Sequence, residues 1–214
     1  MNYFTSAVKA YFAAVVLVLA CMGQASANWQ EASQVVDQKT KQMLDLLHDE
    51  SFKTPEREPE LIAAIDEILS PVVDFDYISR VVMGKFYRRA TPEQQQQFSG
   101  VFKTTLLKTY ARAIVGFSIS GYEIQPPKVE SPEPDKQVVT VDVIGGNGAR
   151  YALVYYMSKE ATGWRLVNVL LDGVNLRLTF KNQFADIIQR SNNDVGQAIT
   201  NWENLVDPDK KGDA

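Results

Sequence analysis

The sequence predicts an α+β fold, helices first and antiparallel strands after. Three observations carry this. Apolar residues recur at helical spacing from Ala32 to Phe117. From Gly121 onward the period shifts towards two, with Val139, Val141 and Val143 alternating against Val138, Thr140 and Asp142. Between the two longest alternating runs lies Gly145-Gly146-Asn147-Gly148, a hairpin turn rich in residues that tolerate positive φ. Helices followed by hairpin strands make an α+β layer pair, not a parallel sheet.

Composition bounds the rest. The 214 residues are 45% apolar and 22% charged, enough apolar surface to form a packed core and exclude wholesale disorder. The formal charge of −4 argues against a nucleic-acid binder held by bulk positive charge. Residues 1–27 read as a secretory signal peptide: Lys9 precedes an apolar run from Ala10 to Met22, and Ala25-Ser26-Ala27 has the small-x-small cleavage pattern. The run is shorter than a membrane span requires. Val18-Leu19-Ala20-Cys21 offers a rival reading, cleavage before a lipidated Cys21. Cleavage after Ala27 leaves no cysteine, which excludes thiolate chemistry, thiolate metal ligation and disulfides. The expected organisation is a single domain over 28–206 and a polar tail over 207–214.

Asn28-Trp29-Gln30-Glu31 has the spacing of a capping box, and Ala32, Val36, Met43 and Leu47 share the face of the first helix. Thr54-Pro55 and Glu58-Pro59 interrupt the chain. Leu61, Ile62, Ile65, Ile68 and Leu69 form the second stripe, which Ser70-Pro71 ends. Asp74 caps a third helix bearing Phe75, Ile78, Val81, Val82 and Phe86. Thr91-Pro92-Glu93-Gln94 starts a fourth, whose stripe is Phe98, Phe102, Leu106, Tyr110, Ala113 and Phe117. The strands follow: an edge strand over 122–129 limited by Pro126 and Pro127, a second around Val139–Val143, a third over 150–157 and a fourth over 164–171. Phe180, Phe184, Ile187 and Ile188 mark another helix. Asn193 or Asp194 caps the last, which bears Val195, Ala198, Ile199, Trp202 and Leu205.

The inventory of chemistry is thin. His48 is the only histidine and sits near a helix end, where its charge suits the dipole. No nucleophile elbow, P-loop or dinucleotide fingerprint is present. Asp172 reads either as a turn acid before Gly173 or as a general base in an apolar cavity. Arg80, Arg88 and Arg89 form a small basic cluster, a solvated face or a partner contact.

The segment Phe75-Asp76-Tyr77-Ile78-Ser79-Arg80-Val81-Val82-Met83-Gly84-Lys85-Phe86-Tyr87-Arg88-Arg89-Ala90-Thr91 resembles the pattern F-x-x-I-S-R-x-V-L-G-x-x-W-R-x-A-S of the MlaC, or toluene-tolerance auxiliary, family. The likeness continues through Gln94 to Phe98, Phe102, Leu106-Leu107 and Thr109-Tyr110-Ala111. It resumes at Tyr155-Tyr156, Gly163-Trp164-Arg165-Leu166, Val169 and Gly173-Val174-Asn175-Leu176, and ends near Gln183-Phe184. Tyr87 stands where the family often has Trp, Asn168 where it often has Asp, and Asn175 where Ser is common. Thr179-Phe180-Lys181 replaces an Asn-Tyr-Arg-like stretch.

The resemblance implies an NTF2-like α+β fold, helices packed over a curved antiparallel sheet of about four strands, with an apolar pocket between them. It also implies a monomeric periplasmic phospholipid carrier, binding acyl chains with low headgroup selectivity and using no cofactor. Its partners would be the inner-membrane Mla ABC transporter complex and the outer-membrane MlaA–porin complex, and its role the upkeep of outer-membrane lipid asymmetry. A pocket for two acyl chains should reach the upper end of the usual range of roughly 300–1,000 Å³ or exceed it. Binding tails by shape and area needs no dedicated cationic site.

Periodicity assigns the walls of such a pocket. On the helices they are Ile78, Val82, Phe86, Phe98, Phe102, Leu106 and Tyr110. On the strands they are Val139, Val141, Val143, Leu153, Tyr155, Val167, Val169 and Leu171. Arg80, Arg88 and Arg89 are candidates to face a partner. Two other readings stand beside the carrier: a ligand-free adaptor of the transporter with a closed core, and an NTF2-like enzyme using Asp172 as base.

Overall fold

The computed structural model describes residues 28–115 and 117–206. The segment expected to be a signal peptide, Cys21 within it, and the tail expected over 207–214 lie outside the described residues. Six helices pack on one face of a five-stranded antiparallel sheet of order β1-β2-β3-β4-β5. The helices are α1 (28–48), α2 (Glu58–Leu69), α3 (Phe75–Met83), α4 (Pro92–Val115), α5 (Leu176–Arg190) and α6 (Val195–Val206). The strands are β1 (Ile119–Gln125), β2 (Lys136–Gly145), β3 (Arg150–Glu160), β4 (Gly163–Leu171) and the two-residue β5 (Val174–Asn175). The fifth strand exceeds the four expected, because a pair so short leaves no alternation to read.

Local signals become local structure where both partners are neighbours. Asp74 accepts from Tyr77 N at 2.9 Å and starts α3. Thr91 Oγ1 accepts from Gln94 N at 3.2 Å while Gln94 Oε1 accepts from Thr91 N at 3.0 Å, a reciprocal cap for the 24-residue α4. Asp194 accepts from Gln197 N at 2.9 Å at the start of α6. Helix α3 ends earlier than its apolar stripe suggests. Gly84 takes φ 56°, and the chain continues as a 3-10 turn over Gly84–Arg89 that carries Phe86. The Asn28–Glu31 capping box does not form. Glu31 instead pairs with Lys159 at 2.6 Å and accepts from Trp164 Nε1 at 3.3 Å, contacts to a cation and a buried indole that a backbone amide does not match.

Two bulges bend the sheet. Ser120 is extra in β1, between the pairs Ile119–Gly145 and Gly121–Ile144. Val167 is extra in β4, between Tyr156–Asn168 and Met157–Leu166. Strand β5 pairs only with Leu170 and Leu171. Further along the same edge, residues 72–74 run beside β4: Leu166 N donates to Val72 O at 2.7 Å and Asp74 N to Leu166 O at 3.0 Å.

The helical layer is fixed by an aromatic cluster. Trp202 of α6 is fully buried, with ring centroids of Phe98, Phe102, Phe180 and Phe184 within 5.5–6.4 Å. Phe98 and Phe184 approach to 4.7 Å. Helix α1 is fastened to the sheet by Trp29 Nε1, which donates to Val138 O at 3.0 Å, and by Tyr122 OH, which donates to Asp37 Oδ1 at 2.6 Å. Hydrogen bonds from Lys41 and then from Tyr122 hold the Asp37 carboxyl below its usual range. Desolvation, then the Asp37 carboxylate, pushes the Tyr122 phenol up to about 12.

Trp202→Ala should destabilise the fold by about 3–5 kcal/mol, as large aromatic deletions in cores do. Val129→Ser, at a side chain 84% exposed, should stay within about 0.5 kcal/mol. Urea denaturation of both variants checks this. Tyr122 stabilises the fold below pH about 10, where the unfolded phenol is also protonated, and loses that contribution as pH rises to about 12. The stability gap between wild type and Tyr122→Phe should therefore narrow across that window. A gap constant from pH 9 to 12 would show the phenol to be ordinary.

Candidate functional site

The inner face of the sheet is built by pairing. Val139 faces Tyr155, Val141 faces Leu153 and Val143 faces Tyr151 across β2 and β3, and Leu153 and Tyr155 meet Leu171 and Val169 on β4. These alternate side chains point to one side, towards the helices. Between that face and the helices lies a cavity of about 690 Å³. Its helical wall comes from Val36, Thr40, Met43, Leu44 and Leu47 of α1, Ile65 and Leu69 of α2, Phe75 and Ile78 of α3, and Leu106, Leu107 and Tyr110 of α4. Val72, Val73, Phe117, Ile119, Tyr122, Tyr151, Met157, Leu166, Leu176 and Phe180 add to the apolar lining. The volume lies inside the ordinary ligand range and below the size expected for two enclosed chains. Part of the interior is occupied instead by a second packed cluster of Leu61, Ile65, Leu107 and Ala111, against which Met43 and Leu46 lie.

Eight of the residues assigned by periodicity line the cavity: Ile78, Leu106, Tyr110, Val143, Leu153, Tyr155, Val169 and Leu171. Seven do not. Phe98 and Phe102 lie on the α4 stripe, but Trp202 and Phe184 fill the space beside them. Phe86 packs edge-on against Phe184 at 6.4 Å, and Val82 is buried in the same core. Val139 and Val141 share the inner face of β2, yet both are fully buried in the core, where the start of α1 is bonded to Val138 O. Val167 is the bulge residue. The bulge shifts the alternation, so Leu166, not Val167, joins Met157 on the wall.

The α1 wall was legible in part, since Val36, Met43 and Leu47 already share one helical face. No local signal marked Arg177; Asn168 stood out only against the family pattern, and Phe117, read as the end of the α4 stripe, reaches the cavity from beyond that helix's end. The few polar groups are informative. Burial pushes the Tyr155 phenol up to about 12, the surface it keeps being turned to the cavity and not to bulk water. Burial also raises Tyr110. Asp172 is exposed at the rim, with φ 47°, and its Oδ1 accepts from Ala152 N at 2.8 Å. It closes the turn into β5, and it forms no ion pair among the described residues. His48 lies 3.4 Å from Ile119 O through Nε2, on the surface. Arg80, Arg88 and Arg89 are all exposed, with Arg89 over the Phe86 ring.

Among the described residues, no group of three His, Cys, Asp or Glu side chains converges as a metal site would require. No helix among them is long and apolar enough to cross a membrane. A shallower groove of about 470 Å³ between α4 and α6 is lined by Glu93, Gln96, Gln97, Thr104, Lys108 and Glu203, and encloses no comparable apolar surface. The arrangement is thus a container: an apolar volume walled by helices and sheet, with polar side chains such as Lys39, Thr40, Asn168, Asp172 and Arg177 at a few points of its lining.

Comparison with known proteins points the same way. The chain is 37% identical over 144 residues to the toluene tolerance protein ttg2D of Pseudomonas putida, a match covering 67% of this chain and 66% of that protein. It is 26% identical over 118 residues to the intermembrane phospholipid transport system binding protein MlaC of Haemophilus influenzae, covering 53% and 55%. These matches thus span less than two thirds of either relative's length. The fold superposes with a TM-score of 0.71 on a phospholipid-binding protein from Ralstonia solanacearum solved in complex with a phospholipid, at 28% identity over 81% of this chain and 95% of that one. The MlaC protein family model matches residues 37–204, and with the α+β architecture described above this establishes that the chain belongs to the MlaC family.

Proposed function

We propose that the chain is a periplasmic phospholipid carrier that encloses acyl chains in the cavity between helices and sheet. The observation that carries this is the cavity itself, about 690 Å³ with a lining that is almost wholly hydrocarbon and aromatic. The relative with the matching fold was solved with a phospholipid bound, which supports the same reading. The energetics require a container. Each methylene withdrawn from water stabilises by about 0.8 kcal/mol, so every enclosed chain of ~15 methylenes carries on the order of 12 kcal/mol of exposure. A lipid crossing water alone meets that cost in full.

In this reading the carrier moves lipid between an outer-membrane MlaA–porin complex and an inner-membrane Mla ABC transporter, and so maintains the asymmetry of the outer membrane. Release needs comparable affinity at each station or an energy source at one of them. The chain carries no P-loop, so ATP hydrolysis falls to the transporter. The exposed cations Arg80, Arg88 and Arg89 are its candidates for contact with those partners. An adaptor with a closed core does not account for the cavity, and an enzyme using Asp172 would need that carboxylate free of its turn.

Native mass spectrometry of the mature chain from a periplasmic extract, with lipid extraction alongside, tests this. The expected result is a mass increment of phospholipid with several headgroups. A bare mass, together with failure to load from vesicles, would overturn the carrier. Leu153→Trp, on the cavity wall, should lower lipid occupancy several-fold while the protein stays folded by circular dichroism. Val138→Trp, on a side chain 41% exposed, should leave occupancy unchanged.

A further inference from the structure

The cavity is not uniformly apolar. On the side formed by β4 and the start of α5, two polar side chains lack the partners that their burial or charge calls for. Asn168 lines the cavity, is 4% exposed, and its Oδ1 has no hydrogen-bond partner among the described residues. Buried amides are ordinarily satisfied, so an orphan of this kind asks for an explanation. Arg177 lines the same cavity. Its Nη1 donates to Val167 O at 3.2 Å and to Tyr77 OH at 3.4 Å, which fixes the guanidinium one residue along β4 from Asn168.

No carboxylate among the described residues pairs with Arg177. Asp172, the one acid on the cavity wall, is engaged by Ala152 N. A second cation stands nearby. The guanidinium of Arg80 lies 5.3 Å from the Tyr77 ring centroid and that of Arg177 lies 5.7 Å from it. A half-buried arginine with spare N–H groups, beside a neutral amide in hydrocarbon surroundings, is a site for an oxyanion. Its planar fork matches phosphate geometry, and the low dielectric of the walls strengthens the attraction. Asn168 Oδ1 itself keeps no open surface, so the amide acts as a neutral neighbour that leaves the Arg177 charge uncompensated.

We propose that Arg177, with Asn168 beside it, holds the phosphate of the lipid whose acyl chains occupy the cavity. The site then separates lipids that carry a phosphate from those that do not, and disregards what is esterified beyond it. This rests on the carrier reading above and adds to it. Area and shape alone would hold diacylglycerol as well as any phospholipid, whereas an anchored phosphate makes the two unequal.

The test uses mature protein stripped of lipid and titrated with phosphatidylglycerol, phosphatidylethanolamine and diacylglycerol of identical chains, each with and without inorganic phosphate. Wild type should bind the two phospholipids alike and both at least tenfold tighter than diacylglycerol. Inorganic phosphate should not change this, because the anion arrives on a lipid. Arg177→Gln should collapse the ratio towards one, and Arg177→Lys should keep part of it. Since Arg177 also braces Val167 and Tyr77, Asn168→Asp is the second variant. It sets a carboxylate beside Arg177 without touching that residue's own contacts, and should lower the ratio as well.

An unchanged ratio in Asn168→Asp and Arg177→Gln would overturn the proposal. So would parallel loss of phospholipid and diacylglycerol, the mark of a merely structural role. Binding of free phosphate to the stripped wild type without any lipid preference would assign the site to the ion instead, and equally overturn it. Failure of the carrier reading is distinct: wild type would then take up none of the three lipids.

Discussion

A cavity walled by hydrocarbon keeps its shape only if its walls are held from outside. Side chains on such a wall lack protein neighbours on one side, and the surrounding elements gain by closing in. Here the restraint comes from the helical layer's own core. Trp202, Phe98, Phe102, Phe180 and Phe184 join α4, α5 and α6 into one aromatic block, and Phe86 ties the end of α3 to it. With that block set, α4 cannot sink further onto the sheet, and Leu106 and Tyr110 remain as wall instead of packing. Four residues along one helix separate the core from the container.

Helix α1 closes the remaining side, with its tethers at one end. Trp29, Glu31 and Asp37 fix its first part to β2, Lys159, Trp164 and Tyr122. The half that lines the cavity, from Thr40 to Leu47, is held mainly by apolar contact, with His48 resting against Ile119 O at 3.4 Å. Apolar contact is non-directional, so side chains such as Met43 can rearrange around contents of different shape without breaking a specific bond.

The sequence was legible wherever cause and effect are close along the chain. The Thr91–Gln94 cap, the Asp74 and Asp194 caps and the β2–β3 hairpin all depend on residues within a few positions, and all form. The α4 stripe was also real, but its division was not visible, because what fills the space beside Phe98 arrives from Trp202, a hundred residues later. Strand alternation identified the inner face of β2 and β3, held on β4 for Val169 and Leu171, and failed only at Val167, where one extra residue reverses parity. Asn28 and Glu31 show competition: a good local cap lost to Lys159 and Trp164, distant partners with stronger claims. Arg177 was unremarkable in sequence because an arginine's importance here comes from the carboxylate it lacks, and a missing neighbour leaves no motif.

The covering of β4 by residues 72–74 has a consequence for how the protein lives at high local concentration. An open sheet offers unpaired amides and carbonyls at its margins, and a second copy can add a strand there and start a fibril. On the β4 side, part of that margin is taken by β5 and part by Val72 and Asp74. On the other side β1 is only seven residues long, is bulged at Ser120, and runs into Pro126 and Pro127, which have no amide to donate. Both borders are thus blunted by the chain itself. An apolar cavity is in this way set beside a sheet whose margins offer little template for polymerisation.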